Sequence, residues 1–232
     1  MSMLCETIHI DKKIGNKIII NDISIKIPKN SIYILAGPNG SGKSTLLKLL
    51  TKMLQPTNGQ ILFNNKPFEC SDLIHIGSLI ENPALYDNLT AEENLMVRSV
   101  LLGVKKEEID KVLELFNLTN AKHKIVKYFS LGMRQSLGIA ISLLHNPNFL
   151  ILDEPTNGLD PLAIHHFKKI MKDFKKAGGT VLITTHNLKE VNDIADYMGI
   201  MVNGSLLCQK KVQLQENIED FFMNTIKNNT QS

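Results

Sequence analysis

Residues 37–45 read Gly37-Pro38-Asn39-Gly40-Ser41-Gly42-Lys43-Ser44-Thr45, and the rest of the chain is best read outward from them. Gly37, Gly42, Lys43 and Ser44 satisfy G-x-x-x-x-G-K-[ST], and both flanks suit that pattern. Upstream, Ile32-Tyr33-Ile34-Leu35-Ala36 is an apolar run of strand length. Downstream, the segment 43–54 carries Leu46, Leu47, Leu49, Leu50 and Leu54 at helical spacing. A strand, a glycine-rich turn and a helix start make an anion cradle. Glycines let backbone N–H groups converge on phosphate oxygens, and the helix end adds its positive dipole. Lys43 is placed to reach terminal phosphates, and the Ser44 hydroxyl offers a ligand to Mg²⁺. The stretch predicts a site for a nucleoside triphosphate.

Composition narrows the setting. A chain of 232 residues, 43% of them hydrophobic, suffices to bury a real core. The net charge of +3 is too small to argue for a nucleic-acid partner, and no long basic block or aromatic-interleaved basic stripe occurs. Cys5, Cys70 and Cys208 are scattered without metal-ligand spacing, which points to a reducing cytosolic setting. The first residues, MSMLCETIHI, show no secretory signal pattern. No apolar run approaches the ~20 residues needed to cross a bilayer, so any membrane work requires another chain.

Along the chain, residues 3–27 read as short strands around a turn at Gly15-Asn16, with Ile23, Ile25 and Ile27 alternating. Pro56-Thr57-Asn58-Gly59 turns into a strand over 60–63, and Asn64-Asn65 turns again. The stretch from about 80 to 146 reads as helical: Thr90-Ala91-Glu92-Glu93 is a capping box, and Ile109, Val112, Leu113 and Phe116 line one face of a second helix. A third helix follows Ser130. Strand–helix alternation then resumes: a buried strand at Phe149-Leu150-Ile151-Leu152, a helix over 161–176 capped by Asp160, and a buried strand over 180–185. After it the pattern predicts a helix capped by Asn187, a hairpin at Asn203-Gly204, an amphipathic segment with Ile218, Phe221 and Phe222, and a polar, loose tail from 227. This pattern predicts one α/β domain spanning 1–232. Its core is a mainly parallel sheet with an N-terminal antiparallel β region, a helical subdomain at about 80–146, and a short helix and tail at about 215–232.

Leu150-Ile151-Leu152-Asp153-Glu154 is an apolar strand ending in two carboxylates. On a strand expected beside that of the phosphate loop, Asp153 fits a Mg²⁺ ligand, and Glu154 is placed to orient and deprotonate a water.

In this order the motifs resemble the nucleotide-binding subunit of ATP-binding cassette (ABC) transporters over nearly the whole chain. The Walker A loop is 37–45. Phe129-Ser130-Leu131-Gly132-Met133-Arg134-Gln135 stands where the ABC signature belongs. The Walker B strand is 150–155, the D-loop is Asn157-Gly158-Leu159-Asp160, and the switch histidine is His186. The resemblance implies an ATP- and Mg²⁺-dependent ATPase whose cassettes pair head to tail, as a homodimer or with another cassette. Ser130, the Gly132 N–H and Met133 would face the nucleotide held by the partner cassette, and Asp160 would lie at that interface. His186 would meet the γ-phosphate. The resemblance also implies a cytoplasmic subunit, peripheral on the inner face of a bacterial membrane, that powers a separate integral-membrane permease.

Three motifs depart from the family pattern. The signature usually reads LSGGQ, and here Leu131 replaces the first glycine and Met133 the glutamine. Ile14 stands where an aromatic residue often stacks on adenine. Glu81 replaces the Q-loop glutamine; a carboxylate still ligates Mg²⁺ but has no amide to donate. Glu81 and the stretch 84–95 resemble the bacitracin-resistance and lantibiotic-immunity subfamily, which implies antimicrobial-peptide export. Two other readings are a soluble ABC-type ATPase acting on nucleic acid or ribosomes, and a cassette that holds ATP without turnover. The first usually carries two cassettes or a long coiled-coil insertion. Glu154 and His186 argue against the second.

Overall fold

The computed structural model describes residues 2–213 and 217–230. β1 (Met3–Ile14) and β2 (Lys17–Ile23) form a hairpin whose turn holds Gly15 at φ 58°. β3 (Lys26–Pro28) follows, and β4 (Ile32–Ala36) runs into the glycine-rich loop that α1 (Lys43–Leu50) leaves. Next come β5 (Asn58–Phe63), β6 (Lys66–Pro67) and β7 (Ile76–Leu79). Three helices follow, α2 (Ala91–Leu102), α3 (Lys106–Leu115) and α4 (Leu131–Leu143). The remainder is β8 (Phe149–Asp153), α5 (Pro161–Lys176), β9 (Thr180–Thr185), β10 (Tyr197–Val202), β11 (Ser205–Lys211) and α6 (Ile218–Thr230).

Two sheets result. An antiparallel one runs β2-β1-β5-β6, with β3 also on β1, and a six-stranded one runs β11-β10-β4-β9-β8-β7. In the latter every pairing is parallel except β10 with β11. The continuous apolar reading of β4 follows from burial on both faces. Ile32 and Ile34 join the core on the side of the helical region; Tyr33 and Leu35 join the core shared with α1 and the antiparallel sheet. β8 alternates likewise, Leu150 and Leu152 against Phe149 and Ile151. The mainly parallel α/β fold with an N-terminal antiparallel region and a helical insertion is as the sequence predicts.

Several details differ. β8 is not the neighbour of β4, because β9 lies between them. The helix after Lys43 stops at Leu50, with Thr51 as its cap, so Leu54 lies beyond it. β7 was not visible as a strand, since its Ile-Gly-Ser-Leu run is short and interrupted by glycine. No α-helix directly follows His186. Leu188, Val191 and Ile194, all buried, recur every third residue, and two 3-10 turns at Leu188–Glu190 and Asn192–Ile194 place that spacing on one side. Asn187 stands at the N-cap of the first turn, but its side chain donates to the Glu190 carboxylate at 2.7 Å and makes no capping bond. α6 continues through the segment expected to be a loose tail, up to Thr230, because its first turn anchors the fully buried Ile218. Residues 214–216 and 231–232 lie outside the described residues.

Candidate functional site

The glycine-rich loop sits at the C-terminal end of β4, where left-handed backbone is needed. Gly40 has φ 77° and Gly42, the N-cap of α1, has φ 101°. Gly37 is required for a different reason: a Cβ there would lie 2.2 Å from the Met201 carbonyl oxygen of β10. Lys43 is only 6% exposed, and its ammonium curls back over the loop, donating to the Gly37 carbonyl at 2.7 Å and the Pro38 carbonyl at 3.2 Å. Burial pulls its pKa below the usual lysine range, opposed by the nearby Glu154 and Asp153 carboxylates. Ser41 Oγ is buried in the same loop without a protein partner. A buried cation over its own carbonyls beside an unsatisfied hydroxyl suits an incoming polyanion, which would give both groups oxygen partners. Ser44 and Thr45 follow in the first turn of α1, both half-buried, while Pro38 and Asn39 are exposed.

Both carboxylates stand at the end of β8. Asp153 is buried, and its Oδ1 accepts from Thr184 Oγ1 of β9 at 2.5 Å. Glu154 leaves the strand at φ 47°, a left-handed conformation uncommon for such a side chain. Its N–H donates to Thr184 Oγ1 at 3.0 Å, and Gln135 of α4 donates to its carbonyl at 3.4 Å. The turned backbone puts the carboxylate between two basic groups: Lys43 Nζ is 3.6 Å from Oε1, and His186 Nδ1 is 2.6 Å from Oε2. Phosphate loop, both carboxylates and His186 thus form one cluster at the C-terminal edge of the parallel strands.

The other predicted residues lie apart from that cluster. Ser130 is the N-cap of α4, its Oγ accepting from the Met133 N–H at 3.2 Å. Gly132 is pressed against the D-loop, since a Cβ there would lie 2.8 Å from the Gly158 carbonyl oxygen. Leu131 covers Gly158 while staying 63% exposed. Asp160 caps α5, accepting from the Ala163 N–H at 2.8 Å. Ile14, at the tip of the β1–β2 hairpin opposite Lys17, is 53% exposed. Glu81 has φ 60°, and its carboxylate is bound by Lys48 of α1 at 2.5 Å. Among the described residues no group of three or more His, Cys, Asp or Glu is arranged to hold a metal ion. Thr184 and Lys48 escaped the sequence reading; the Thr184-Thr185 pair ending a buried strand was the one available signal.

Comparison with known proteins agrees with this geometry. Residues 20–157 match the family described as ABC transporter. The lantibiotic transport ATP-binding protein SrtF of Streptococcus pyogenes is 44% identical over 218 residues, covering 94% of this chain and 95% of that protein. The bacitracin transport ATP-binding protein BcrA of Bacillus licheniformis is 41% identical over 212 residues, 89% of this chain and 69% of that protein. A solved ATP-binding subunit of an ABC transporter superposes with a TM-score of 0.86 at 26% identity, covering 96% of this chain and 99% of its own. A second solved cassette, in its ADP conformation, gives 0.84 at 25%, covering 98% of each chain. The chain belongs to the ABC transporter family, as one of its ATP-binding, ATP-hydrolysing cassettes.

Proposed function

We propose that this cassette, one domain over residues 1–232 with its helical subdomain at about 80–146, hydrolyses ATP with Glu154 as general base and powers a separate membrane permease for an antimicrobial peptide. The observation carrying the chemistry is the Glu154 carboxylate held between Lys43 and His186. On ATP binding Lys43 exchanges the Gly37 and Pro38 carbonyls for β- and γ-phosphate oxygens, while the loop N–H groups and Ser41 Oγ take up the rest. Glu154 accepts a proton from the attacking water as its oxygen bonds to the γ-phosphorus and ADP departs. His186, fixed through Nδ1, keeps Nε2 for the γ-phosphate. Ser44 and Asp153 are the residues that would hold Mg²⁺, which would neutralise charge on the triphosphate oxygens; Thr184 engages only Oδ1 of Asp153. Ile14 contacts the base by van der Waals packing. Ser130, Gly132 and Met133 complete the site of a second cassette, with Asp160 at that interface.

Among the described residues no helix is long and apolar enough to cross a membrane; in this reading the permease is a separate chain. An open groove of about 620 Å³ on α2, lined by Tyr86, Met96, Val97, Val100 and Leu101 among others, suits its docking. Val100 and Leu101 are 73% and 71% exposed. Glu92, in the same region, is unsuited to docking because it already faces Lys106, Lys122 and His123. The peptide cargo rests on similarity to SrtF and BcrA, and with it goes the reading of a subunit peripheral on the inner face of a bacterial membrane. The test is to purify the tagged chain from membranes of its own cells, identify the associated permease by mass, and measure peptide resistance with and without the chain. Loss of the chain should lower resistance to a lantibiotic or bacitracin-like peptide. Unchanged resistance to both classes would remove the cargo assignment.

A further inference from the structure

β9 ends in two threonines, and strand alternation gives them different surroundings. Val181 and Ile183 join the core of the helical region, while Leu182 joins the core shared with α1. Successive side chains point to opposite faces, so Thr184 falls on the α1 face, where the phosphate loop stands, and Thr185 on the other. In β8, Ile151 lies on the α1 face, so Asp153 falls there too. The parallel register sets Asp153 directly beside Thr184. Thr185 spends its hydroxyl locally, accepting from the Asn187 N–H at 2.9 Å and donating to the Asn187 carbonyl at 3.2 Å.

Thr184 is 0% exposed. Valine has nearly the same shape and would suit a buried strand, because a hydroxyl taken out of water costs free energy unless it is hydrogen-bonded. Here the hydroxyl is used on both sides. The Glu154 N–H can only donate, and it does so to Thr184 Oγ1 at 3.0 Å. The one hydroxyl proton goes to Asp153 Oδ1 at 2.5 Å. The bonds therefore run in one direction, from the Glu154 backbone through Thr184 to the Asp153 carboxylate, and each polarises the next. The Thr184 carbonyl also accepts from the Glu154 N–H at 3.2 Å, and Gln135 holds the Glu154 carbonyl from α4 at 3.4 Å. Glu154 stands at φ 47°, a conformation that persists only where its surroundings hold it.

We propose that Thr184 is a positioning residue that serves both carboxylates through one oxygen. It holds Asp153 by Oδ1, leaving Oδ2 for the metal, and it holds the turned backbone that aims the Glu154 side chain. This rests on the roles given above to Asp153 and Glu154. It goes further in making their placement depend on a hydroxyl that itself touches neither metal nor nucleotide.

The test compares Thr184→Val, Thr184→Ser and Asp153→Asn with the wild type in the full chain. The readouts are equilibrium binding of a non-hydrolysable ATP analogue, in EDTA and over a Mg²⁺ titration, and steady-state hydrolysis. In EDTA, Thr184→Val should bind the analogue as the wild type does. The Mg²⁺ concentration giving half of the added affinity should rise about 10- to 100-fold, the usual range for losing a residue that orients a metal ligand. At saturating Mg²⁺ its kcat should still be lowered, because the Glu154 backbone has lost the same oxygen. Thr184→Ser keeps the hydroxyl and should restore both readouts. A threonine that merely filled space would move neither, since valine fills the same space. If Thr184→Val does not fold, Thr184→Cys, whose S–H is a weak donor, takes its place. Wild-type behaviour of the valine variant in either readout would overturn the proposal, and so would a serine variant as impaired as the valine one. Asp153→Asn separates that failure from a failure of the reading beneath it. A wild-type Mg²⁺ response in Asp153→Asn would count against Asp153 as the metal residue, and the proposal would fall with it.

Discussion

His186 Nδ1 lies 2.6 Å from one carboxylate oxygen of Glu154, and Lys43 Nζ lies 3.6 Å from the other. The Lys43 ammonium and the imidazole therefore hold Glu154 in one rotamer. Its backbone is turned to φ 47° to bring it there, a strain that Thr184 offsets through two hydrogen bonds to the Glu154 N–H.

Glu154→Gln keeps the side chain's shape and removes its basicity. Turnover should fall on the order of 10²–10⁴-fold while ATP affinity is retained. The comparison is steady-state hydrolysis against equilibrium nucleotide binding. Wild-type turnover in the variant would show that another group takes the proton.

The elements were legible where pattern and burial agree. Apolar runs read β4, β8 and β9 correctly because these strands are covered on both faces, and the Thr90 capping box forms as read, with Thr90 and Glu93 bonding reciprocally. What escaped depends on distant partners. No local pattern shows that β9 separates β4 from β8, that Thr184 holds Asp153 and Glu154, or that Lys48 meets Glu81. The helix expected after His186 failed because a spacing of three residues fits 3-10 turns as well as it suggests an amphipathic helix.

His145 gives the fold an acid sensitivity. Its Nε2 donates to the Ile76 carbonyl at 3.2 Å, and its Nδ1 is buried without a partner. Burial, with Arg98 and His75 nearby, holds its pKa below the ordinary 6.5. The unfolded chain then binds the proton more readily, so this contribution to stability is complete above about pH 6.5 and is lost as pH falls through and below that value. In His145→Gln, urea stability should decline less between pH 7 and pH 5 than in the wild type. Parallel pH profiles would show that this ring does not titrate against the fold.

Permease docking on the α2 groove, as proposed above, would be separable from catalysis. Val100→Asp places a charge in an exposed apolar patch far from the phosphate loop in sequence, so basal hydrolysis should persist while peptide resistance falls. Glu92→Lys should instead lower stability, because it sets a cation among Lys106, Lys122 and His123. Thermal unfolding beside cell resistance distinguishes the two. Full resistance in Val100→Asp would move the docking surface elsewhere.

Leu131 and Gly158 lock the signature helix to the D-loop. Gly158 has φ 78°, and a Cβ on it would lie 2.5 Å from Leu131 Cδ2. Gly158→Ala therefore carries two separable costs. The left-handed backbone costs about 1–2 kcal/mol for any residue with a Cβ. The overlap forces Leu131 aside, which its exposure permits, but only by moving the first turn of α4 and the Ser130 cap with it. Gly158→Ala should accordingly lose stability and also lose hydrolysis beyond what unfolding explains. Adding Leu131→Ala removes the overlap and leaves the backbone cost, so the double variant should recover hydrolysis while its stability stays lowered by about the backbone amount. Leu131→Ala alone is the control for any direct role of that side chain. If hydrolysis in the double variant stays as low as in Gly158→Ala, the Leu131–Gly158 contact does not set the position of Ser130.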